Sequence, residues 1–444
     1  MKSRISFALG FLALIAVGAV VLALPFCRAD NMRGDLVTSL FTAFSAVCVT
    51  GLTVVDVGRE FSVAGQVVLM VLVELGCLGL VELGCLGLMT CGTFFLVAIG
   101  RRISLVSEFS LMNAYGVRQI QGLRGLICWI VGSMLVIEGI FAVALYPHFG
   151  NWYEAVFYSI MSFCNAGFGL ESDSLAKFPR SWPVIVMGLE TILGGIGFLV
   201  IYNLCTFKFL HRISGARGRL SLHTRVVLRF TFYLLALTFI AFLAVEWNLS
   251  LKDMSLSDKA VVGFYQAVTP RTCGFCVIPT EALHPLTRLI YECLMFIGGA
   301  PGSAAAGMKV TTLAVIIYTA TAMCRGETET VMDGRLIPTE IVRESLVILM
   351  AIVMFAVVVT GALFVTEAGR GISSDALFFE AVSAVTTTGL AVGDTTASLS
   401  IPGRFVIMVA MFIGRLGALT VVLMIGDRES KRHVRFPSEE LVVG

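Results

Sequence analysis

Phe41–Asp56, FTAFSAVCVTGLTVVD, decides how the rest of the chain is read. It is too short and too interrupted to cross a bilayer, which takes about 20 apolar residues. Segments that are long enough lie on both sides of it. Gly51 follows a run of small and β-branched residues. Three relatives recur: Ala155–Leu170 (AVFYSIMSFCNAGFGL), Val262–Ile278 (VGFYQAVTPRTCGFCVI) and Leu377–Gly393 (LFFEAVSAVTTTGLAVG). Each starts apolar and aromatic, passes a Ser or Thr, and ends in a small-polar-Gly step followed by Leu or Phe. Their glycines, Gly51, Gly167, Gly274 and Gly389, are spaced by 167−51=116, 274−167=107 and 389−274=115 residues. A near-constant period means one unit used four times.

Outward from these stretches the chain is apolar. Of 444 residues 57% are hydrophobic and 14% charged, with a mean hydropathy of +0.91. A soluble fold could not hide that much apolar surface, so the chain reads as a polytopic membrane protein. The net charge of +2 gives no signal for nucleic acid. The 12 cysteines are scattered without regular pairing and read as reduced or buried thiols rather than a disulfide framework. Ile5–Phe26, preceded by Lys2 and Arg4, is longer than a signal-peptide core and lacks an A-x-A site, so it reads as a retained first helix.

Each unit reads as helix, short re-entrant segment, helix. The first runs Ile5–Phe26, Leu36–Thr50 and Phe61–Ile99; the second Leu123–Tyr146, Trp152–Ala166 and Trp182–Leu210. The third runs Val226–Trp247, Ser257–Cys273 and Leu286–Met323; the fourth Ile341–Thr366, Asp375–Thr388 and Arg404–Ile425. The expected fold is therefore all-α, with eight transmembrane helices and four re-entrant pore loops in a pseudo-fourfold arrangement around a central pore. The repeats occupy 1–100, 101–215, 216–325 and 326–427, with pore loops at 36–56, 152–170, 257–278 and 375–393 and a tail at 428–444. Arg101, Arg102, Arg118 and Arg124 follow the first unit; Lys208, Arg212, Arg217, Arg219, Arg225 and Arg229 follow the second; Arg428, Lys431, Arg432 and Arg435 lie in the tail. The opposite loops mix acids with bases. The positive-inside rule then puts both termini in the cytoplasm.

One irregularity stands in the first unit. Val73–Leu80, VELGCLGL, is repeated letter for letter at Val81–Leu88. Without those eight residues the first spacing would be 116−8=108, close to the second, so a tandem duplication is inferred. It places Glu74 and Glu82 in apolar surroundings, where a carboxylate is a functional candidate.

Irregular backbone at membrane depth survives only when buried in protein or lining a water-filled cavity. Backbone carbonyls can replace the hydration shell of a cation, and glycine reaches the positive-φ conformations that turn successive carbonyls the same way. The C-terminal end of a short helix adds a negative partial charge. With no ring of Asp or Glu at these positions, a monovalent ion fits best.

CVTGLTVVD (Cys48–Asp56), NAGF (Asn165–Phe168), RTCGF (Arg271–Phe275), TTTGL (Thr386–Leu390), FIGGAPGSAAAGMK (Phe296–Lys309), FIGRLGALT (Phe412–Thr420) and the tail RFPSEELVVG together resemble the Trk/Ktr/HKT family of cation transporters over essentially the whole chain. The chain starts directly with its first unit and so is most similar to the bacterial KtrB-type subunit. The resemblance implies a potassium-translocating subunit with no cofactor of its own and potassium as the transported ion. Its selectivity filter would be Val49, Thr50, Gly51, Asn165, Ala166, Gly167, Thr272, Cys273, Gly274, Thr387, Thr388 and Gly389. It also implies an intramembrane gating loop at 296–309, with Gly298, Gly299, Pro301, Gly302, Gly307 and Lys309, facing Arg415 as an electrostatic barrier. A homodimer in the bacterial inner membrane is implied, on a cytosolic nucleotide-binding regulatory subunit of KtrA type that would carry the nucleotide. The duplication, Glu74 or Glu82, and cysteines near three filter loops depart from the family pattern.

Other readings are weaker. Gly302–Gly307 has G-x-x-x-x-G spacing without the following G-K-[ST], so it is no nucleotide loop. Cys273 and Cys276 form a lone C-x-x-C, too little for a zinc or redox site. Neither H-E-x-x-H nor G-x-S-x-G occurs, which argues against an intramembrane enzyme. A sodium-permeable or ion-coupled symporter of the same fold is the alternative within transport, and a non-conducting scaffold the alternative outside it.

Overall fold

The computed structural model describes residues 2–29, 34–79, 120–171, 174–175, 182–214 and 220–417. The second copy of VELGCLGL with Glu82, the basic residues Arg101, Arg102 and Arg118, and the tail 428–444 lie outside the described residues.

The described residues are mostly helical. The first unit holds α1 (Lys2–Leu22), α2 (Leu36–Val47) and α3 (Val63–Gly79); the second α4 (Ile120–Phe149), α5 (Trp152–Phe163), α6 (Trp182–Ile196) and α7 (Phe198–Ser214). The third holds α8 (Leu222–Glu246), α9 (Leu256–Val268), α10 (Pro285–Met295) and α11 (Val310–Cys324); the fourth α12 (Thr339–Thr366), α13 (Ser374–Thr386) and α14 (Ile401–Leu416). Between α11 and α12, β1 (Val331–Met332) and β2 (Arg335–Leu336) form an antiparallel hairpin over Asp333-Gly334.

The four short helices start alike because each has an oxygen-bearing side chain at its N-cap. Asp35 accepts from the Val37 and Thr38 amides, Asn151 from Tyr153, Ser255 from Asp258 and Ser373 from Ala376. Such caps satisfy amides that have no partner within the helix.

Packing separates short helices from long ones. Most of α2, α5, α9 and α13 is buried, whereas α8 and α12 turn Phe232, Leu237, Val357 and Val365 outward. Among the described residues α4, α8 and α12 are long and apolar enough to cross a membrane, and the bent pair α6–α7 makes a fourth when its two helices are counted as one span. The second unit's return segment thus differs from the single helix expected over Trp182–Leu210. It turns by 92° between Ile196 and Phe198, at Gly197 with φ +93°.

Contacts within units repeat: α2 packs on α1 and α3, α5 on α4 and α6, α9 on α8, and α13 on α12 and α14. Contacts between units run in a cycle. The return helix α3 meets the short helix α5, α6 meets α9, α10 meets α13, and α14 meets α2. The short helices are therefore gathered at the centre, each wedged by its neighbour's return helix.

Candidate functional site

The cycle brings the four glycine loops together. The four share one backbone feature: the residue two before the glycine and the glycine itself both have positive φ. The pairs are Val49 (51°) and Gly51 (91°), Asn165 (57°) and Gly167 (69°), Thr272 (61°) and Gly274 (77°), and Thr387 (49°) and Gly389 (85°). Left-handed conformation at a β-branched residue is strained. Its recurrence at Val49, Thr272 and Thr387 shows that surrounding packing holds it. In three loops the residue before the glycine donates its amide to the carbonyl five residues back, Thr50 to Ser45 (2.8 Å), Ala166 to Met161 (2.9 Å) and Thr388 to Ser383 (2.8 Å). The third loop departs: Cys273 donates to Thr269 at 3.2 Å.

The loops touch in sequence. A Cβ added to Gly51 would overlap the Ala166 carbonyl oxygen; one on Gly167 would lie 2.7 Å from Gly274 Cα; one on Gly274 would lie 3.1 Å from Thr388 O; one on Gly389 would overlap Thr50 O. The chain of contacts closes on itself. All twelve residues expected here on sequence grounds fall in these loops. The hydroxyls of Thr50, Thr272 and Thr387 are buried with no hydrogen-bond partner among the described residues. Cys273 does not pair with Cys276; its thiol lies 3.5 Å from the Tyr265 hydroxyl and 3.6 Å from that of Thr191. The described residues hold no cluster suited to a metal ion of the His/Cys/Asp/Glu type.

A pocket of about 330 Å³ opens above the ring, with all four glycines in its lining. Asp56, Glu171 and Asp394 stand in its wall, and among the described residues no Lys or Arg lines it. From the other side the C-terminal ends of α2, α5, α9 and α13 lead into the loops, so carbonyl ends rather than amide ends face the ring.

The segment after α10 breaks at the expected place. Ile297 pairs with Met308 in a parallel bridge, with Gly298 N donating to Met308 O (2.9 Å) and Met308 N to Phe296 O (2.9 Å). Gly302 and Gly307 both have φ +70°. The loop is tied to the bend of the second unit: Ala300 N donates to Gly195 O (2.9 Å), Ala304 N to Gly194 O (3.1 Å) and Phe198 N to Gly302 O (2.9 Å), and Gly197 faces Pro301 O. Arg415 is buried and donates from Nη1 to Ala304 O at 3.0 Å, and Lys309, at the N-cap of α11, donates to Ala305 O at 2.9 Å.

Two features escaped the sequence reading. Arg271, buried in the third loop, donates to Gly298 O at 3.4 Å and so links that loop to the broken segment below it. Its position in the RTCGF motif was the available signal. Glu246 and Glu367 end α8 and α12 and cap the return helices α10 and α14. Glu246 accepts from His284 N (2.9 Å) and Thr287 Oγ1 (2.6 Å); Glu367 accepts from Ser400 N (3.1 Å) and Ser400 Oγ (2.5 Å). Nothing local to either acid announces a partner more than 30 residues away.

A polytopic helical protein whose four units bring four glycine loops under one acidic pocket has the form of an ion-handling membrane protein rather than an enzyme. The chain belongs to the TrkH family of cation transport proteins, which matches residues 19–434. It is 34% identical to the potassium/sodium uptake protein NtpJ of Enterococcus hirae over 98% of this chain and 96% of that one. It is 33% identical to the Ktr system potassium uptake protein B of Bacillus subtilis, again over 98% and 96%. The crystal structure of the potassium transporter TrkH from Vibrio parahaemolyticus superposes with a TM-score of 0.74 at 18% identity, covering 96% of this chain and 85% of that one. The fold is shared with that structure.

Proposed function

We propose that the chain is the ion-translocating subunit of a Ktr-type potassium uptake system. The observation that carries this is the closed ring of loops, with one left-handed pattern repeated four times beneath a pocket walled by Asp56, Glu171 and Asp394. In this reading the units stand pseudo-fourfold about a central pore. Carbonyls of Val49, Thr50, Gly51 and their counterparts at 165–167, 272–274 and 387–389 replace the water of a potassium ion. The acidic pocket is the outer mouth, and helix ends favour the cation within.

Below the ring, the loop 298–308 obstructs the path, with Arg415 and Lys309 adding positive charge. Conduction requires it to leave Gly194, Gly195 and Arg415. A cytosolic nucleotide-binding subunit of KtrA type drives that movement; the names of the Ktr relatives speak of a multi-component system. The protein sits as a homodimer in the bacterial inner membrane with both termini cytoplasmic, and the basic loops and the tail from Arg428 offer the docking surface. The printed name of the Enterococcus hirae relative supports one further reading, sodium permeation through the same ring.

The test is potassium uptake in a bacterial strain stripped of its own uptake systems, with the chain alone and with its regulatory subunit, beside Gly51→Ser. Uptake by wild type and its loss, or a shift toward sodium, in Gly51→Ser are expected. No uptake from inserted wild type with its partner overturns the proposal. Flux ratios of sodium to potassium separate the two ion readings.

A further inference from the structure

Behind the fourth glycine loop stands a carboxyl that the ring itself does not use. Glu380 on α13 is fully buried. Its Oε1 accepts from the Thr396 hydroxyl at 2.5 Å. Its Oε2 is buried with no hydrogen-bond partner among the described residues. Taking a carboxyl out of water with one oxygen idle is unfavourable, so the contact at the other oxygen calls for an explanation. An apolar side chain would carry no such penalty, and it could not hold Thr396.

The tie closes a bracket around the loop. Glu380 lies nine residues before the loop glycine (389−380=9) and Thr396 seven after it (396−389=7). Between them stand the left-handed Thr387 and Gly389, then Leu390, Ala391, Gly393 and Asp394, which line the outer pocket. Thr396 sits in a single helical turn, Thr395–Ser398, that bonds back onto the same strip. Thr395 Oγ1 donates to Val392 O (2.6 Å) and Ser398 N to Asp394 O (3.0 Å). The loop thus leaves α13 at one end and is returned to α13 by Glu380 at the other. Two other units carry ties at matching places. Tyr158, nine residues before Gly167 (167−158=9), accepts from Leu170 N at 3.2 Å. Gln266, eight before Gly274 (274−266=8), donates from Nε2 to Ile278 O at 3.3 Å. In the first unit Thr42 (51−42=9) keeps its hydroxyl on Thr38 O in its own helix. Of these ties only the fourth joins two side chains. Its loop also meets both neighbours in the ring, Gly389 against Thr50 O and Thr388 O against Gly274.

We propose that Glu380 is a positioning residue for ion selection: through Thr396 it holds the strip from Leu390 to Ala397 against α13 and so fixes where the carbonyls of Thr387–Gly389 stand. This deepens the transport reading above and rests on it. Without the tie the strip carrying Asp394 is free to lift from α13, and the fourth loop is held from one end only. Its carbonyls then follow the bound cation instead of keeping one spacing, and discrimination between potassium and the smaller sodium falls.

The experiment uses the full chain in lipid vesicles. Thr396→Val removes the hydroxyl at nearly unchanged size, Thr396→Ser keeps it, and Glu380→Ala removes the acceptor. Hydrogen exchange over residues 389–399, read by mass spectrometry, needs no transport. Exchange several-fold faster in Thr396→Val and in Glu380→Ala is expected, with wild-type exchange in Thr396→Ser. Combining the two disruptive changes should add nothing beyond either alone. Exchange unaltered by Thr396→Val, or effects of the two changes that simply add, overturns the proposal. The ratio of sodium to potassium flux through the same vesicles is the second readout. It should rise several-fold in Thr396→Val and Glu380→Ala and stay at the wild-type value in Thr396→Ser. A merely structural role would lower the unfolding midpoint and total flux together and leave the ratio alone, and that outcome refutes the assignment. Faster exchange in the variants, with no flux of either ion from wild type, would tell against the transport reading while supporting the tie itself.

Discussion

The four glycine loops and the four return helices that pass beneath them are built on opposite rules. At the loops the units agree to the level of single dihedrals, although their residues differ: Val49, Asn165, Thr272 and Thr387 share one conformation. Beneath them the agreement is partial. Gly76, Gly194 and Gly414 each leave room for a carbonyl four residues before the loop glycine, those of Val47, Phe163 and Val385. In the third unit Gly298 instead faces the carbonyl of Ala306, in its own loop. The residue after this glycine is not held constant either: Cys77 in the first unit, Gly195 and Gly299 in the second and third, and Arg415 in the fourth. Four copies that share one contact surface constrain one another, since each loop is the wall of the next. Four helix ends with separate neighbours are free to specialise: one bends, one opens into a loop, and one carries the arginine that holds the loop.

The sharpest way to break the shared part is Gly389→Ala. The residue has φ +85° and its new Cβ would overlap Thr50 O, which is backbone and cannot step aside. Left-handed strain alone costs about 1–2 kcal/mol, before the overlap. Loss of potassium flux by more than about tenfold is expected. Gly361→Ala is the contrast: this glycine lies inside α12 with nothing within 4 Å, and flux should match wild type. Equal loss in both would show that the ring has no special demand for glycine.

The specialised part is probed by Arg415→Gln. The shorter, neutral side chain cannot reach Ala304 O as the guanidinium does, so one tie on the loop is lost while the backbone ties to Gly194 and Gly195 remain. Potassium flux in the absence of the regulatory subunit should rise, by less than the Gly389 variant loses. Flux that falls instead would mean that Arg415 supports the loop's open form.

Much of this division was legible beforehand. Periodicity exposed the four units because lipid burial demands apolar runs and the loops interrupt them at fixed distance. The Gly298–Gly307 cluster announced a break, since Pro301 and neighbouring glycines cannot continue a helix. The bend at Gly197 was not legible. ILGGIGFLV reads as an uninterrupted apolar helix, and the turn is stabilised by carbonyls and amides of the distant loop 300–304. The third unit's return segment is broken by its own residues, which the sequence displays; the second unit's is bent by contacts with residues of the third, which it does not. The same limit hid the capping of α10 by Glu246 and of α14 by Glu367. Replacing Glu246 by Ala leaves His284 N and Thr287 Oγ1 without their acceptor. Unsatisfied buried donors cost about 1–3 kcal/mol each. A lower thermal unfolding midpoint with unchanged ion selectivity is the expected result, and altered selectivity would place this cap in closer contact with the ring than its hydrogen bonds suggest.

The smallest effect is expected outside the ring, in the hairpin between α11 and α12. Asp333 sits at its turn with φ +48°, next to Gly334, and takes two bonds from Arg229 (2.9 and 3.3 Å) and one from Arg225 (3.2 Å) on α8. The hydrogen bond from Arg229 holds its carboxyl below the usual carboxylate range. A depressed folded value means that the stabilisation is present above the unfolded value of about 4 and is lost as pH falls through the folded one. Asp333→Asn removes the charge and keeps a residue that tolerates the left-handed turn. The hairpin should therefore persist, and the variant should be less stable near neutral pH by about 0.2–1 kcal/mol, less so in high salt. The gap between variant and wild type should close on acidification below about pH 4, where the wild-type carboxyl also becomes neutral. A gap that persisted at low pH would assign the contribution to the shape of the turn rather than to the charge, and would make the hairpin, like the glycine ring, a matter of backbone geometry.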